Sequence, residues 1–152
     1  MDDVLSMFYW PVRVYYEDTD SGGVVYYANY LKFLERGRSE WLRSLGIEQD
    51  VLREQSGLIF AVRSISLDYR LPARFNDQLY VSVRTKQQAR ASLVFTQQVL
   101  RLADDEVKQG VETTIEKQSA TVLCEGEVKV ACLDAVSLKP RRIPDDINVL
   151  LS

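Results

Sequence analysis

The chain has 152 residues, of which 46% are hydrophobic and 27% charged, and its net charge is −3. These values are typical of a globular domain with its own core and argue against a disordered chain. The acidic balance gives no basic surface for nucleic acid. We therefore expect a single domain over residues 1–152 that binds neither DNA nor RNA.

Two features of the composition restrict the chemistry and the location. The chain has no histidine, which excludes histidine-based zinc sites and Ser-His-Asp or Cys-His catalysis. Its two cysteines, Cys124 and Cys132, lie in one predicted strand, about 26 Å apart when extended, so we expect reduced thiols rather than a disulfide. No apolar run is long enough to span a membrane. The start, Met1-Asp2-Asp3, lacks signal-peptide features, which predicts a cytoplasmic protein.

Hydrophobic periodicity predicts one long helix among five strands, in the order β-α-β-β-β-β. The first strand is predicted over Pro11–Glu17, and apolar residues at helical spacing from Tyr27 to Leu45 predict an amphipathic helix that stops at Gly46. A weakly helical stretch follows over Ile47–Gln55. The four later strands are predicted over Leu58–Leu71, with a bulge near Arg63–Ser64, over Leu79–Arg84, over Ser92–Leu102, which is central, and over Thr121–Leu133. An exposed loop is predicted over Asp104–Gln118, and the basic tail over Leu138–Pro144 is predicted not to pair regularly.

A single helix can bury its apolar stripe only if the sheet curves around it. The element order therefore predicts an α+β fold in which a curved antiparallel sheet wraps around one long helix. The edges of such a sheet stay open, which favours dimerisation through an edge. Arg38 falls inside the apolar stripe and is predicted to be buried and paired with an acid. Gly37 beside it would allow another backbone to approach closely.

The turn between the first strand and the helix concentrates the candidate chemistry. Asp18 and Asp20 precede Gly22 and Gly23, and two glycines allow positive φ and close approach to a ligand. The helix start that follows supplies unpaired N–H groups and a positive dipole end. A carboxylate beside this helix start is suited to a reaction at a polarised carbonyl. From the residues alone, the alternative that both acids only form the turn stays open. Calcium is excluded, because positions five and twelve of an EF-hand loop counted from Asp18 would be glycine and Asn29.

Several motifs resemble the 4-hydroxybenzoyl-CoA thioesterase family, a group of hotdog-fold acyl-CoA thioesterases. Within that family the chain is most similar to the bacterial branch associated with the Tol-Pal system. The resemblance covers nearly the whole chain. It rests on VRVYYEDTDSGGVVY at 12–26, ANY at 28–30, ER at 35–36, PARFND at 72–77, SLVFTQ at 92–97 and KPR at 139–141.

The resemblance implies a hotdog fold, a hydrolytic reaction and two catalytic groups. The second acid of the D-x-D pair is the family's catalytic carboxylate, which corresponds to Asp20, and the backbone N–H at the helix start polarises the carbonyl, which corresponds to Tyr27. A thioester suits this pair, because a thiol with a pKa of about 8.5 leaves without a strong general acid. The branch often has histidine where Tyr27 stands, so the backbone rather than the side chain carries the role. No metal or redox cofactor is implied.

The resemblance also implies how substrate and subunits are arranged. The substrate is an acyl-CoA, with acyl carrier protein as an alternative carrier, and the family forms homodimers that pair into tetramers. The candidate substrate-binding residues are Tyr16 near the acyl group, Gly23 and Val24 in the turn, and Arg90, Ser92, Lys139 and Arg141 near the CoA phosphates. For each of the last four, a solvated charge or an ordinary strand residue is an equal alternative. Two rival functions remain: a hydratase or dehydratase, which would normally need histidine, and a non-catalytic module that binds acyl-CoA or acyl carrier protein.

Overall fold

The computed structural model describes residues 7–102 and 120–152. The predicted loop over Asp104–Gln118 lies outside this part of the chain. In chain order, the elements are β1 (Phe8–Arg13), a 3₁₀ turn (Tyr16–Asp18), α1 (Asn29–Ser44), α2 (Gln49–Ser56), β2 (Leu58–Tyr69), β3 (Gln78–Gln88), β4 (Ser92–Leu102), β5 (Ala120–Asp134) and α3 (Asp145–Leu151).

The strands of the described residues form one antiparallel sheet in the order β1-β3-β4-β5-β2. The predicted α+β architecture, a curved sheet with one long helix, is confirmed. So is the central position of β4, whose Leu93, Phe95 and Val99 are buried. The predicted bulge in β2 is also confirmed, because the pairing with β5 shifts register between Val62 and Ser64.

Helix α1 packs its apolar stripe on the inner face of the sheet. Phe33 and Leu34 are fully buried, and the ring of Trp41 meets the ring of Phe95 edge-on at 5.4 Å. At Gly37 the helix comes so close to β3 that a Cβ would lie 2.8 Å from Cγ1 of Val81. Gly37 was predicted to let another backbone approach; the neighbour is instead the side chain of Val81 on β3.

Arg38 is buried as predicted, but its partner is an amide and not an acid. Its Nη1 donates a hydrogen bond of 3.0 Å to Oε1 of Gln97. The amide nitrogen of Gln97 donates in turn to the carbonyls of Leu34 and Ser82, so these polar groups tie the helix to β3 and β4. Burial lowers the pKa of Arg38, and the charge of Glu35 opposes that shift.

The predicted first strand was wrong in its bounds. It occupies Phe8–Arg13 instead of Pro11–Glu17. The main-chain N–H of Tyr15 donates to the carboxylate of Asp18, which closes the 3₁₀ turn where strand pairing was expected. Alternation of apolar residues does not distinguish a strand from a turn held by a side chain.

As predicted, the tail forms no regular strand among the described residues; an isolated bridge between Leu133 and Pro140 holds it to the end of β5. The N–H of Asp134 donates to the carbonyl of Lys139, and the N–H of Arg141 donates to the carbonyl of Cys132. Helix α3 then follows, which the sequence did not predict. The weak helical signal after Ile47 is confirmed as α2, and Gly57 ends that helix with φ 65°. Within the described residues, no helix is long and apolar enough to cross a membrane.

Candidate active site

The turn after β1 presents the carboxylate of Asp20 to solvent. The N–H of Asp20 donates to the carbonyl of Val24 at 2.9 Å, and the N–H of Gly23 donates back to the carbonyl of Asp20 at 3.0 Å. Gly23 takes φ 80°, a conformation that glycine adopts without strain. Oδ1 of Asp20 accepts the N–H of Gly22 at 2.8 Å. Oδ2 accepts no hydrogen bond from any residue that the structure describes, so it is available to a ligand.

Asp18 has a different role from Asp20, because it is buried and its carboxylate is occupied. Its Oδ2 accepts the N–H of Tyr15 at 2.8 Å. Its carbonyl accepts the N–H of Tyr26 at 3.0 Å and the side-chain amide of Asn29 at 2.9 Å. Asp18 therefore joins the turn to the start of α1 and sets the position of Asp20 relative to the helix.

The start of α1 leaves the main-chain N–H of Tyr27 available. Tyr27 and Ala28 form the first turn, in which the carbonyl of Tyr27 accepts the N–H of Tyr30 at 3.3 Å. The N–H of Tyr27 donates to no acceptor among the described residues, and its side chain is exposed. An unpaired N–H at a helix start is a donor for a developing oxyanion.

A second segment of chain, residues 73–75, supports the turn from below. The N–H of Val25 donates to the carbonyl of Ala73 at 2.8 Å, and Val24 forms a bridge with Arg74. The N–H of Ala73 donates to the hydroxyl of Tyr30 at 2.9 Å. Residues at both ends of the turn are thus tied to the same short segment, which holds the two candidate catalytic groups in one arrangement.

Of the remaining candidates near the turn, Gly23 and Val24 lie between Asp20 and Tyr27, whereas Tyr16 is the first residue of the 3₁₀ turn. The ring of Tyr16 is 78% exposed and packs at a tilt against the ring of Phe75, with the ring centroids 4.6 Å apart. Sequence reasoning missed Tyr69, whose hydroxyl donates to the carbonyl of Tyr27 at 3.3 Å. Tyr69 is at the end of β2, and no local sequence signal connects it to the turn.

The candidates for the CoA phosphates lie at the other end of the sheet. Gln78 pairs with Arg13 beside the turn, whereas Arg90 follows the far end of β3, which is roughly 30 Å away at the usual rise of a strand. There the carbonyl of Arg90 accepts the N–H of Ile143 at 2.9 Å. Arg90 and Arg142 share an open cavity of about 470 Å³.

The other three phosphate candidates are exposed or engaged in the structure. Nη1 of Arg141 contacts the carbonyls of Ser56 and Gly57 and Oδ2 of Asp134 at 3.2–3.4 Å, so this side chain links the tail to the end of α2. Lys139 is exposed and Ser92 is half-buried. Sequence reasoning did not select Arg142, which lines the same cavity as Arg90. Its position next to Arg141 in the basic tail was the sequence feature that could have identified it.

The site resembles neither a metal centre nor a thiol site. Among the described residues, no group of three or more Cys, Asp or Glu is arranged to hold a metal ion. Both cysteines are buried and free. Burial raises the pKa of Cys124 to about 11 and also raises that of Cys132, so neither thiol is a nucleophile at neutral pH.

The chain is similar to known proteins over most of its length. The profile of the Thioesterase superfamily matches residues 22–108. The chain is similar to the acyl-CoA thioester hydrolase YbgC of Escherichia coli, with 39% identity over 142 residues that make up 93% of each chain. It is also similar to the acyl-CoA thioesterase YbgC of Haemophilus influenzae, with 38% identity over 93% of this chain and 91% of the relative.

Solved structures show the same fold. A probable thioesterase from Bartonella henselae is 32% identical and superposes with a TM-score of 0.74, covering 91% of this chain and 99% of its own. A variant of 4-hydroxybenzoyl CoA thioesterase complexed with 4-hydroxybenzoyl CoA superposes with a TM-score of 0.81, covering 97% of this chain and 99% of its own. Its identity is 17%, so this likeness concerns the fold alone and identifies it as the hotdog fold.

Proposed function

Because this chain belongs to the thioesterase superfamily and hydrolyses acyl-CoA thioesters, we propose that Asp20 and the main-chain amide of Tyr27 perform the hydrolysis. One observation supports this pair most directly. A single turn carries a solvent-exposed carboxylate with a free oxygen and a helix-start N–H without an acceptor among the described residues. The antiparallel bridge between Thr19 and Val25 holds the two parts of the turn together.

The reaction needs one group that promotes attack on the carbonyl carbon and one that stabilises the negative charge on its oxygen. Asp20 promotes the attack, either as the nucleophile itself or as the base that takes a proton from water. The Tyr27 N–H, at the positive end of the α1 dipole, stabilises the oxyanion. The C–S bond then breaks, the CoA sulfur takes a proton, and one water has been consumed to give a carboxylic acid and free CoA.

Replacing Asp20 by Asn tests the assignment. We expect a fall of about a hundredfold or more in kcat, since general-base groups typically contribute 10²–10⁴ in rate. Release of free CoA from an acyl-CoA ester is the measurement. Asp50→Asn is the matched control, because Asp50 is an exposed aspartate on α2 whose carboxylate, within the part of the chain that the structure describes, accepts a hydrogen bond only from the N–H of its neighbour Val51. Unchanged kcat in the Asp20 variant would refute the assignment.

A single turnover in water labelled with ¹⁸O distinguishes the two roles of Asp20. With enzyme in excess, a nucleophilic Asp20 forms an acyl-enzyme that mass spectrometry detects after rapid quenching, and its carboxylate can acquire the label. A base forms no such adduct and sends the label only to the product.

We also propose that the protein is a cytoplasmic homodimer or homotetramer. Strand β2 is an edge strand with exposed Val62, Ile65 and Tyr69, which favours pairing with a second copy. The phosphate candidates Arg90, Ser92, Lys139 and Arg141 lie at the other end of the sheet from Asp20, so an assembly can bring those of one copy towards the Asp20 of another. Sedimentation equilibrium tests the oligomeric state; a monomer at micromolar concentration would contradict the proposed assembly.

The carrier of the acyl group is tested separately, by comparing the hydrolysis rates of CoA esters with those of esters of acyl carrier protein.

A further inference from the structure

We propose that Asn29 is a positioning residue for the hydrolysis: its side-chain amide holds the peptide unit between Tyr26 and Tyr27 so that the Tyr27 N–H is directed at the oxyanion. This inference rests on the proposed role of the Tyr27 amide. It adds the residue that orients this amide relative to the turn of Asp20, which the presence of a free N–H does not by itself explain.

The carbonyl of Asp18 accepts two hydrogen bonds from the chain at the start of α1. The main-chain N–H of Tyr26 donates to it at 3.0 Å, and the side-chain nitrogen Nδ2 of Asn29 donates to it at 2.9 Å. Because the partner is a carbonyl oxygen, only the nitrogen of the Asn29 amide can make this contact, which fixes the orientation of the side chain. Both ends of the segment 26–29 are therefore attached to one oxygen atom.

Asn29 also makes a main-chain contact that orients the peptide unit between Tyr26 and Tyr27. Its N–H donates to the carbonyl of Tyr26 at 2.8 Å. That carbonyl belongs to the same planar unit as the N–H of Tyr27, and in a trans peptide the C=O and N–H bonds point in opposite directions. The described residues contain no cis peptide bond. The contacts of Asn29 thus set the direction of the Tyr27 N–H.

The Asn29 side chain links the helix to the segment that carries both acids. Within residues 7–102 and 120–152, no other side-chain hydrogen bond joins α1 to residues 15–20. The contact is partly buried, so it is stronger than the same contact in water would be. It spans 11 positions of the sequence and thereby holds the helix start in place relative to the turn of Asp20.

This contact differs from an ordinary helix cap. A capping side chain uses an oxygen to accept an N–H of the first helical turn. The cap position of α1 is Ala28, which makes no side-chain hydrogen bond, and the Asn29 amide donates away from the helix instead. Its loss should therefore disturb the turn in front of α1 more than the helix itself.

The expected consequence for the reaction is a loss in the transition state and not in substrate binding. The oxyanion develops only as the carbonyl is attacked, so a misdirected N–H stabilises it less. An interaction made only in the transition state affects kcat and leaves KM nearly unchanged. A displacement of about 1 Å can cost about 10² in rate, so a small change at Asn29 is measurable.

The test measures kcat and KM in variants of Asn29, through release of free CoA from whichever of acetyl-CoA and dodecanoyl-CoA the wild type hydrolyses faster. Asn29→Ala removes the Nδ2 donor but keeps the main-chain N–H. We expect kcat to fall at least about fivefold and KM to change by less than about threefold. Asn29→Gln keeps an amide donor and should recover part of the loss.

The matched control is Ser44→Ala, at the other end of α1. It also removes a side-chain hydrogen bond to a main-chain carbonyl, that of the Ser44 hydroxyl to Trp41 at 2.6 Å. Because this contact lies far from the turn, kcat and KM should stay at the wild-type values.

A double-mutant cycle with Tyr27→Pro tests whether Asn29 acts through the Tyr27 N–H. Proline has no N–H, so the double variant has no donor for Asn29 to orient. Adding Asn29→Ala to Tyr27→Pro should then lower kcat by less than about threefold, because residues that act through one interaction are not additive. A residue that only stabilised the fold would lower kcat by the same factor in both backgrounds.

Two results would overturn the proposal: a loss in kcat below about fivefold in Asn29→Ala, or an equal loss in the two backgrounds. Thermal melting verifies that each variant is folded at the assay temperature. If Asn29→Ala does not fold, Asn29→Leu replaces it, since leucine has a similar shape without a donor, and the same loss is expected. Failure of the catalytic assignment is distinct, because it appears as normal kcat in a folded Tyr27→Pro variant whatever the effect of Asn29→Ala.

Discussion

The buried carboxylate of Asp18 accepts a hydrogen bond from the main-chain N–H of Tyr15 at 2.8 Å. This contact separates two acids that look alike in the sequence, since Asp18 is buried and occupied while Asp20 is exposed. It ends the first strand and orients the turn in front of α1. Asp18 therefore stabilises the turn, and Asp20 is the carboxylate that is free to act on a substrate.

Replacing Asp18 by Ala should lower the free energy of unfolding by about 1–3 kcal/mol, because it leaves the N–H of Tyr15 without its partner. Urea denaturation measures the change. Asp18→Asn keeps an acceptor oxygen and should recover part of the loss. An alanine variant as stable as the wild type would contradict a structural role for Asp18.

The oxyanion role of Tyr27 predicts that its backbone matters more than its side chain. Tyr27→Pro removes the N–H, and proline is tolerated at the first positions of a helix. We expect a loss of about 10²–10³ in kcat, which is typical for one oxyanion donor. Tyr27→Ala and Tyr27→His keep the N–H and should remain within about tenfold of the wild type. Circular dichroism verifies that the proline variant is folded, and a folded proline variant with normal kcat would disprove the backbone role.

The contact of Gly37 with β3 predicts that added volume is destabilising at this position. A Cβ would lie 2.8 Å from Cγ1 of Val81, and overpacking of this kind typically costs about 1–3 kcal/mol. Alanine has a higher helix propensity by about 1 kcal/mol, so the net effect of Gly37→Ala is the difference between these terms. The double variant Gly37→Ala, Val81→Ala isolates the contact: in a double-mutant cycle of unfolding free energies, the two changes should be less destabilising together than their sum.

Both cysteines should be unreactive in the native protein. The pKa of Cys124 is raised to about 11 by burial, so its thiol is protonated at pH 8. A thiol reagent should modify neither cysteine rapidly at that pH and both in urea. Since an unfolded thiol has a pKa of about 8.5, the stability linked to this shift is complete below that pH and is lost as pH rises towards 11. Rapid labelling of the native protein would contradict the burial of both thiols.

Much of the fold could be predicted from local patterns. The helical spacing of apolar residues, the bulge in β2 and the central position of β4 were all predicted correctly, because each depends on residues close together in the sequence. The strand predicted over Pro11–Glu17 failed where a side chain replaced the main-chain partner. The tail was predicted correctly not to pair regularly, since among the described residues it meets β5 through an isolated bridge.

The sequence by itself determined the chemistry that is possible here. A chain without histidine, with two acids, two glycines and a helix start in one turn, allows catalysis by a carboxylate and a backbone N–H. Only the tertiary structure decided which acid is free and what surrounds the helix start. Asp18 and Asp20 differ through hydrogen bonds that closed the turn, and Tyr69 reaches Tyr27 across 42 residues, since sheet and helix bring together side chains that no local pattern relates.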